Sequence, residues 1–210
     1  MIRILVADDH PVVREGIKRL VSSQPDMTVV AEADTGDDVE DAARSSQADV
    51  VLLDVAMPGP GLEPLLRRLR ERLPDVRVLV LSVHPEQQYA AHALKAGALG
   101  YLCKDRTPSE LARAIRLVHA GDVYMAPGVA RDLADRLLHG RDVDPHERLS
   151  AREFDVLIGL GRGQSLKQIA GQLGVSSKTV STYAARVRRK LGAASNVALV
   201  RYVFEHHLVE

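Results

Sequence analysis

Short apolar runs alternate five times with helical patterns over residues 1–121, and this alternation restricts the fold more than any other feature. The runs are almost continuous in Val, Leu and Ile, as in strands that are covered on both faces. We predict strands at residues 2–7, 27–31, 50–53, 76–81 and 99–102. We predict helices at residues 12–21, 37–44, 62–72, 86–95 and 108–119. The pattern therefore predicts an α/β domain with a doubly wound, five-stranded parallel sheet.

The chain changes character after residue 121. Residues 122–148 are dense in Asp and Arg and are predicted to form a linker with a short helix at 132–139. From residue 149 the pattern is entirely helical, and Ser150 with Glu153 forms a capping box at its start. We predict helices at residues 151–160, 166–173, 178–191 and 196–205. Residues 149–210 are therefore predicted to form an all-α, four-helix domain.

Charge is distributed unevenly between these parts. Residues 149–210 contain nine Lys and Arg against four Asp and Glu, a net charge of +5, although the whole chain is neutral. Such a basic segment can bind a polyanion, whereas the acidic remainder can bind a cation. No apolar run approaches the roughly 20 residues of a membrane span. We expect no secretion signal, because the apolar run at 2–7 is short and two acidic residues follow it. With Cys103 as the single cysteine, we expect a cytoplasmic protein without membrane contact or disulfides.

Acidic side chains follow two of the predicted strands. Asp8 and Asp9 follow the first strand, and Asp54 follows the third. Right-handed crossovers place these strands side by side, so the three carboxylates should converge at one edge of the sheet. A hard divalent cation, with Mg²⁺ as the first candidate, would relieve their repulsion. Ser82 and Lys104 end the fourth and fifth strands at the same edge. The combination suits phosphoryl transfer to the Asp54 carboxylate.

Four motifs at these strand ends resemble the receiver domains of the NarL/FixJ group of response regulators. They are LVADDHP at 5–11, VLLDVAMP at 51–58, LVLSVH at 79–84 and GALGYLCKD at 97–105. The resemblance implies a flavodoxin-like receiver fold with Asp54 as the phosphoacceptor. It also implies that Asp9, Asp54 and the backbone carbonyl of Ala56 are metal ligands. Asp8 would act at the metal directly or through water.

The same resemblance gives roles to further residues of the pocket. It implies that Ser82 and Lys104 contact the phosphoryl oxygens and that Tyr101 is the aromatic switch. Each residue taken alone has an ordinary alternative. Ser82 could bond to local backbone, Lys104 could be a solvated surface lysine, and Tyr101 could be a half-buried strand aromatic. We expect His10 and His84 to be structural neighbours rather than ligands, because Mg²⁺ prefers oxygen. The coincidence of four motifs favours the joint functional interpretation.

The sequence departs from the receiver pattern after the phosphorylation site. The family usually has one residue more between Pro58 and the glycine that is Gly61 here, and Pro60 stiffens the shortened loop. Val83 follows Ser82 where a small residue would give a phosphodonor easier access. We therefore expect slower phosphotransfer.

Residues 149–208 resemble the LuxR-type helix-turn-helix domain. The matching segments are LSAREFDVL at 149–157, GQSLKQIAGQL at 163–173, VSSKTV at 175–180 and KLG at 190–192. A tight turn at Gly174 joins the second and third helices, as a helix-turn-helix requires. The resemblance implies that the third helix enters the major groove of double-stranded DNA. It also implies that the fourth helix forms a dimer contact.

The resemblance assigns positions along these two helices. The positions facing base edges are Ser181, Thr182 and Ala185. The positions suited to phosphates or groove walls are Lys178, Thr179, Arg186, Arg189 and Lys190. Because the base-facing side chains are short, we predict modest base discrimination, supported by DNA shape and dimer spacing. A solvated helical face is the alternative for residues 186–190. Val197, Val200 and Val203 are the expected dimer contacts, with a core-only role as the alternative for each.

Together these patterns predict a two-component response regulator. A cognate histidine kinase or a small acyl phosphate would phosphorylate Asp54, Ser82 and Tyr101 would move, and homodimers would bind promoter half-sites. We expect no enzymatic activity beyond the protein's own phosphorylation and dephosphorylation. One alternative is a regulator whose receiver is a phosphorylation-independent dimerisation platform. The other is a metal-dependent phosphohydrolase that uses the same carboxylates.

Overall fold

The computed structural model describes residues 1–83, 90, 93–126, 128–130, 144–206 and 208. Packing divides the chain into two compact units, Met1–Arg141 and Asp142–Glu210. Among the described residues, no helix combines the length and the apolar character needed to cross a membrane.

The first unit is built around five parallel strands in the order β2-β1-β3-β4-β5. The strands are β1 (Ile2–Ala7), β2 (Met27–Ala33), β3 (Val50–Asp54), β4 (Arg77–Ser82) and β5 (Gly100–Cys103). The strand order reverses between β1 and β3, which is where doubly wound sheets bind ligands at the carboxyl ends of their strands. The predicted sheet is confirmed, and each strand boundary lies within two residues of its prediction.

Helices cover both faces of this sheet. They are α1 (Pro11–Ser22), α2 (Val39–Ser46), α3 (Leu62–Arg72) and α4 (Pro108–Ala120). One apolar core joins Ile17 of α1 and Ile115 of α4 to Val6, Leu52 and Leu81 of the strands. Residue 90 and residues 93–96 are helical, in agreement with the prediction for 86–95, whose remaining residues lie outside the described part. The short helix predicted at 132–139 also lies outside it.

In the part of the second unit that the structure describes, four helices follow a short 3-10 turn at Pro145–Arg148. They are α5 (Ala151–Gly161), α6 (Leu166–Leu173), α7 (Ser177–Leu191) and α8 (Asn196–Glu205). The predicted Ser150–Glu153 capping box starts α5, and Gly174 ends α6 with a left-handed φ of 64°. Ile169, Val180 and Val187 are buried in the core of this unit. These features confirm the predicted four-helix domain.

Candidate functional site

Four neighbouring strands bring the predicted pocket residues to one edge of the sheet. Asp54 is the last residue of β3 and Ser82 the last of β4. Asp8 and Asp9 follow β1 directly, and Lys104 follows β5. Because all strands are parallel, these positions share the carboxyl edge. The structure therefore brings together the acidic, hydroxyl and ammonium groups that the sequence placed at strand ends.

The ammonium group of Lys104 links the two buried carboxylates. Its Nζ atom lies 2.7 Å from Oδ2 of Asp8 and 3.0 Å from Oδ2 of Asp54. The side chains of Asp8 and Asp54 are only 1% and 2% exposed, and that of Lys104 is 13% exposed. The backbone N–H of Lys104 donates to the carbonyl of Ser82 at 2.7 Å, which fixes the strand end. Lys104 is therefore a pocket residue rather than a solvated surface lysine.

Burial and charge act in opposite directions on these groups. Burial raises the pKa of Asp54, and this effect outweighs the opposing influence of Lys104. Burial alone would lower the pKa of Lys104, but the charges of Asp54 and Asp8 raise it above its ordinary value. The ammonium is therefore held in its charged form. Asp54 is a carboxyl group that additional positive charge would help to ionise.

Several carboxylate oxygens in the pocket lack an aligned hydrogen bond among the described residues. They are Oδ2 of Asp8, Oδ1 of Asp9 and Oδ2 of Asp54. The short distances to Lys104 are therefore charge contacts rather than well-directed hydrogen bonds. Oxygen atoms of this kind, one from each carboxylate, fit the preference of Mg²⁺ for oxygen ligands.

His10 belongs to the same cluster, which the sequence reasoning placed only near the edge. Its Nδ1 atom lies 2.7 Å from Oδ1 of Asp9, and its ring is 62% exposed. Possible ligand atoms of Asp8, Asp9, His10 and Asp54 all lie within 4.8 Å of one another. His84 lies outside the described residues.

The remaining predicted pocket residues are buried or close to Asp54. Ser82 is fully buried, and Tyr101 is 1% exposed, which is deeper than a half-buried strand aromatic. The Tyr101 side chain is therefore enclosed within the receiver unit, and its role as the aromatic switch stays a prediction. The N–H of Ala56 donates to Oδ1 of Asp54 at 3.2 Å. A role for the Ala56 carbonyl as a metal ligand stays a prediction.

The short loop after Asp54 packs against the loop that follows β2. The N–H of Gly36 donates to the carbonyl of Pro58 at 2.7 Å. Gly59 has a φ of 136°, and a Cβ atom there would lie 3.1 Å from the Gly36 backbone. The shortened loop is thus positioned by a specific backbone contact as well as by Pro60.

The predicted recognition helix, α7, presents its DNA-facing candidates to solvent. Its exposed candidates are Lys178, Ser181, Thr182, Ala185, Arg186, Arg189 and Lys190. Thr179 is half-buried, and its N–H donates to the side chain of Ser176 at the start of the helix. The hydroxyls of Ser181 and Thr182 donate to backbone carbonyls one turn earlier, at 3.0 and 3.1 Å. All the predicted base-facing side chains lie on the exposed surface.

Lys190 has a partner that the sequence reasoning missed. Its Nζ atom lies 2.6 Å from Oε2 of Glu153, whose side chain is 5% exposed. It also donates to the carbonyl of Arg148 at 3.2 Å. The ion pair joins the end of α7 to the start of α5. The expected phosphate contact of Lys190 stays a prediction and would compete with this pair.

The apolar residues of α8 divide between core and surface. Val203 is fully buried, and a Cβ atom at Gly161 would lie 2.5 Å from its Cγ1 atom. Val203 therefore fills the core against α5, and its expected place in a dimer contact is wrong. Val197 is 77% exposed and Val200 is half-buried. Phe204, which was not predicted as a contact, is 54% exposed and lies two turns after Val197.

The sheet order, the lysine-bridged acidic pocket and the helix-turn-helix unit define a receiver fold followed by a DNA-binding domain. Residues 4–116 match the family model described as "Response regulator receiver domain". Residues 147–203 match the model described as "Bacterial regulatory proteins, luxR family". The chain belongs to the NarL/FixJ family of two-component response regulators, and it regulates transcription.

Similar proteins match along nearly the whole chain. Response regulator UvrY of Escherichia coli (strain K12) is 36% identical over 209 residues, covering 99% of this chain and 96% of that protein. Response regulator GacA of Pseudomonas aeruginosa is 37% identical over 211 residues, covering 100% of this chain and 99% of that protein. RcsB of Salmonella enterica serovar Typhimurium, solved bound to the promoter rprA with the phosphomimetic BeF3-, is 25% identical with a TM-score of 0.59. That match covers 97% of this chain and 98% of the solved chain.

Proposed function

We propose that phosphorylation of Asp54 controls DNA binding by this regulator. The observation that supports the proposal most is the position of the Asp54 carboxylate, which is 2% exposed and 3.0 Å from the Lys104 ammonium. One carboxylate oxygen would attack the phosphorus of a phosphohistidine or an acyl phosphate, and the bond to the donor would break. Lys104 would neutralise charge on the transferred group, which is the main requirement of phosphoryl transfer.

The pocket fits Mg²⁺ as a cofactor. Asp8, Asp9 and Asp54 each have a carboxylate oxygen without an aligned hydrogen bond among the described residues. We assign these three side chains and the Ala56 carbonyl as the ligands. The bound ion would neutralise the developing phosphoryl charge. Lys104 and the ion would then together neutralise the negative charge that the transferred phosphoryl group adds to the pocket.

Ser82 and Tyr101 are assigned to the switch. The Ser82 hydroxyl, buried at the end of β4, would contact a phosphoryl oxygen on Asp54. Tyr101 occupies a buried position on β5, next to β4 in the sheet. Phosphorylation would favour this inward position over an outer one, and the two positions would form the two-state element.

A cognate histidine kinase is the proposed phosphodonor, in the cytoplasm. Two of the exposed apolar side chains, Val12 at 85% and Val83 at 69%, closely follow the ends of β1 and β4. They would flank the pocket on the surface that a donor domain must approach.

We assign the receiver to residues 1–121, the linker to 122–148 and the DNA-binding domain to 149–210.

A homodimer is the proposed DNA-binding form. Residues 149–210 have a net charge of +5, and the exposed face of α7 would read bases through Ser181, Thr182 and Ala185. Removal of one phosphate-binding side chain, for example in Arg186→Ala, should reduce the salt slope of DNA binding by about one. Because Val203 is buried in the core, Val197 and Val200 of α8 are the proposed dimer contacts. The exposed side chain of Phe204 extends this face.

Treatment with acetyl phosphate and Mg²⁺ tests the acceptor. The wild type should gain the mass of one phosphoryl group and bind promoter fragments more tightly, whereas Asp54→Asn should do neither. A mass gain in both proteins would show that another residue is the acceptor. Promoter binding by Asp54→Asn as tight as that of the phosphodonor-treated wild type would favour a phosphorylation-independent platform. Because the only expected chemistry is autophosphorylation and its reversal, neither protein should hydrolyse phosphomonoesters with multiple turnovers.

A further inference from the structure

A second cluster of metal-ligating side chains lies in the C-terminal unit. Asp144 and His146 belong to the turn before α5, and His206 follows the last residue of α8. One potential ligand atom from each residue lies within 4.8 Å of the others. Oδ1 of Asp144 and Nδ1 of His206 are 3.8 Å apart. Neither the receiver pocket nor the DNA-reading face includes any of these residues.

We propose that Asp144, His146 and His206 bind a divalent transition-metal ion of the Zn²⁺ type. Two imidazole nitrogens and one carboxylate oxygen are a donor set that Zn²⁺ and the neighbouring late metals accept readily. Mg²⁺ prefers oxygen ligands, so this site and the receiver pocket should select different ions. Water would complete the coordination.

Both imidazoles are held in place by Tyr202. The Tyr202 hydroxyl lies 3.0 Å from Nδ1 of His146, which is 7% exposed. The Tyr202 ring stacks on His206 with ring centroids 4.0 Å apart. Groups that orient a ligating histidine raise the affinity of a metal site because they fix the ring before the ion binds. Tyr202 is thus a positioning residue for the site.

The location also favours a cation. His206 is the C-terminal cap of α8, where the partial negative charge of the helix end attracts positive charge. The side chains of His206 and Asp144 are 32% and 53% exposed, so the cluster is open to solvent. Ligand atoms around Zn²⁺ lie about 3.3 Å apart, given bonds of about 2.0–2.2 Å. A small rotation of the more exposed Asp144 side chain would shorten its present 3.8 Å distance from Nδ1 of His206 to this spacing.

An ion bound by Asp144, His146 and His206 would connect the beginning and the end of the C-terminal unit. Asp144 and His146 precede α5, whereas His206 follows α8, so a bound ion would cross-link the entry of the domain to its exit. A ligand that binds only the folded state stabilises it. Zn²⁺ should therefore raise the unfolding temperature of this unit.

Calorimetric titration of the full chain with Zn²⁺, in excess Mg²⁺ to saturate the receiver pocket, tests the proposal. His206→Gln and Asp144→Asn change the more exposed ligands and should each weaken binding by about tenfold or more. His119→Gln replaces an exposed histidine at the end of α4 and should bind like the wild type. In the wild type, Zn²⁺ should also raise the unfolding temperature of the C-terminal unit, and His206→Gln should lack this shift.

Unchanged Zn²⁺ affinity in both His206→Gln and Asp144→Asn would overturn the assignment. Abolition of the binding in Asp9→Asn would also overturn it, because the ion would then occupy the receiver pocket. Circular dichroism should show that each variant keeps the helical content of the wild type.

Discussion

Replacement of Lys104 by methionine should destabilise the receiver unit strongly when no divalent cation is present. The substitution removes the ammonium that lies 2.7 and 3.0 Å from two carboxylates with 1% and 2% exposure. Removal of one partner from a buried ion pair costs about 3–5 kcal/mol. The lower end applies here because Asp54 can take up a proton, since burial already raises its pKa. We therefore expect the free energy of unfolding to fall by about 3 kcal/mol at neutral pH.

The pH dependence of this destabilisation has a definite sign. Without Lys104, burial raises the folded-state pKa of Asp54 further above its ordinary value of 3.8. A carboxyl group with a raised folded-state pKa binds more protons in the folded protein than in the unfolded chain. Its destabilising effect is therefore present above the folded-state pKa and is relieved as the pH falls toward 3.8. The difference between wild type and Lys104→Met should shrink on acidification.

Thermal unfolding in Mg²⁺-free buffer measures the effect. A destabilisation of about 3 kcal/mol corresponds to a fall of roughly 10 °C in the Tm of a domain of this size. Lys95→Met, which replaces an exposed lysine of the same unit, is the matched control. Mg²⁺ should restore part of the stability because it neutralises the same carboxylates. A Lys104→Met protein that unfolds at the temperature of Lys95→Met at neutral pH would refute the reasoning.

Two further substitutions test other interactions. Burial raises the pKa of Glu153, but hydrogen bonds from Lys190 and the backbone of Ser150 lower it below its ordinary 4.5 overall. Glu153→Gln should therefore destabilise the C-terminal unit by about 1 kcal/mol above pH 4.5, and the difference from wild type should vanish as the pH falls through the lowered pKa. Equal stability of the two proteins in neutral urea titrations would contradict this. Gly59→Ala should cost about 1–3 kcal/mol, because φ is 136° and the new Cβ would lie 3.1 Å from Gly36. In thermal unfolding, Gly16→Ala should lack this destabilisation, because the new Cβ would meet no atom within 4 Å beyond its chain neighbours and its own helix backbone. Equal effects of the two substitutions would contradict the reasoning.

The positions of the strand ends, and the side chains found there, could be predicted from the sequence because both depend on short-range sequence patterns. Continuous apolar runs identify parallel strands, and adjacent parallel strands bring their carboxyl ends together. The meeting of Asp8, Asp54 and Lys104 at one edge follows from these two rules together with the right-handed crossovers that set the strand order. The raised pKa of Asp54 does not follow from them, because it depends on how completely the pocket excludes water.

Interactions between helices of the C-terminal unit could not be predicted in the same way. The pair between Glu153 and Lys190 depends on the angle at which α5 and α7 cross. Local sequence gives Glu153 only its capping role. The burial of Val203 likewise depends on the close approach of α8 that Gly161 permits. The apolar residues of α8 occur on more than one side, so the pattern alone does not separate core positions from dimer contacts.

On the proposed mechanism, Lys104 takes part in both charge compensation and switching in the receiver. Lys104 contacts Asp8 and Asp54 together, and its backbone N–H is bonded to the carbonyl of Ser82. A phosphoryl group on Asp54 would add negative charge to the pocket. The Lys104 ammonium would then interact more strongly with the phosphorylated Asp54 than with Asp8. Any shift of Lys104 would act on the ends of β4 and β5, because that backbone bond joins them. Tyr101 lies three residues earlier, on β5. On the proposed mechanism, the movement of Lys104 that neutralises the new charge therefore also displaces the end of β5, the strand that carries Tyr101.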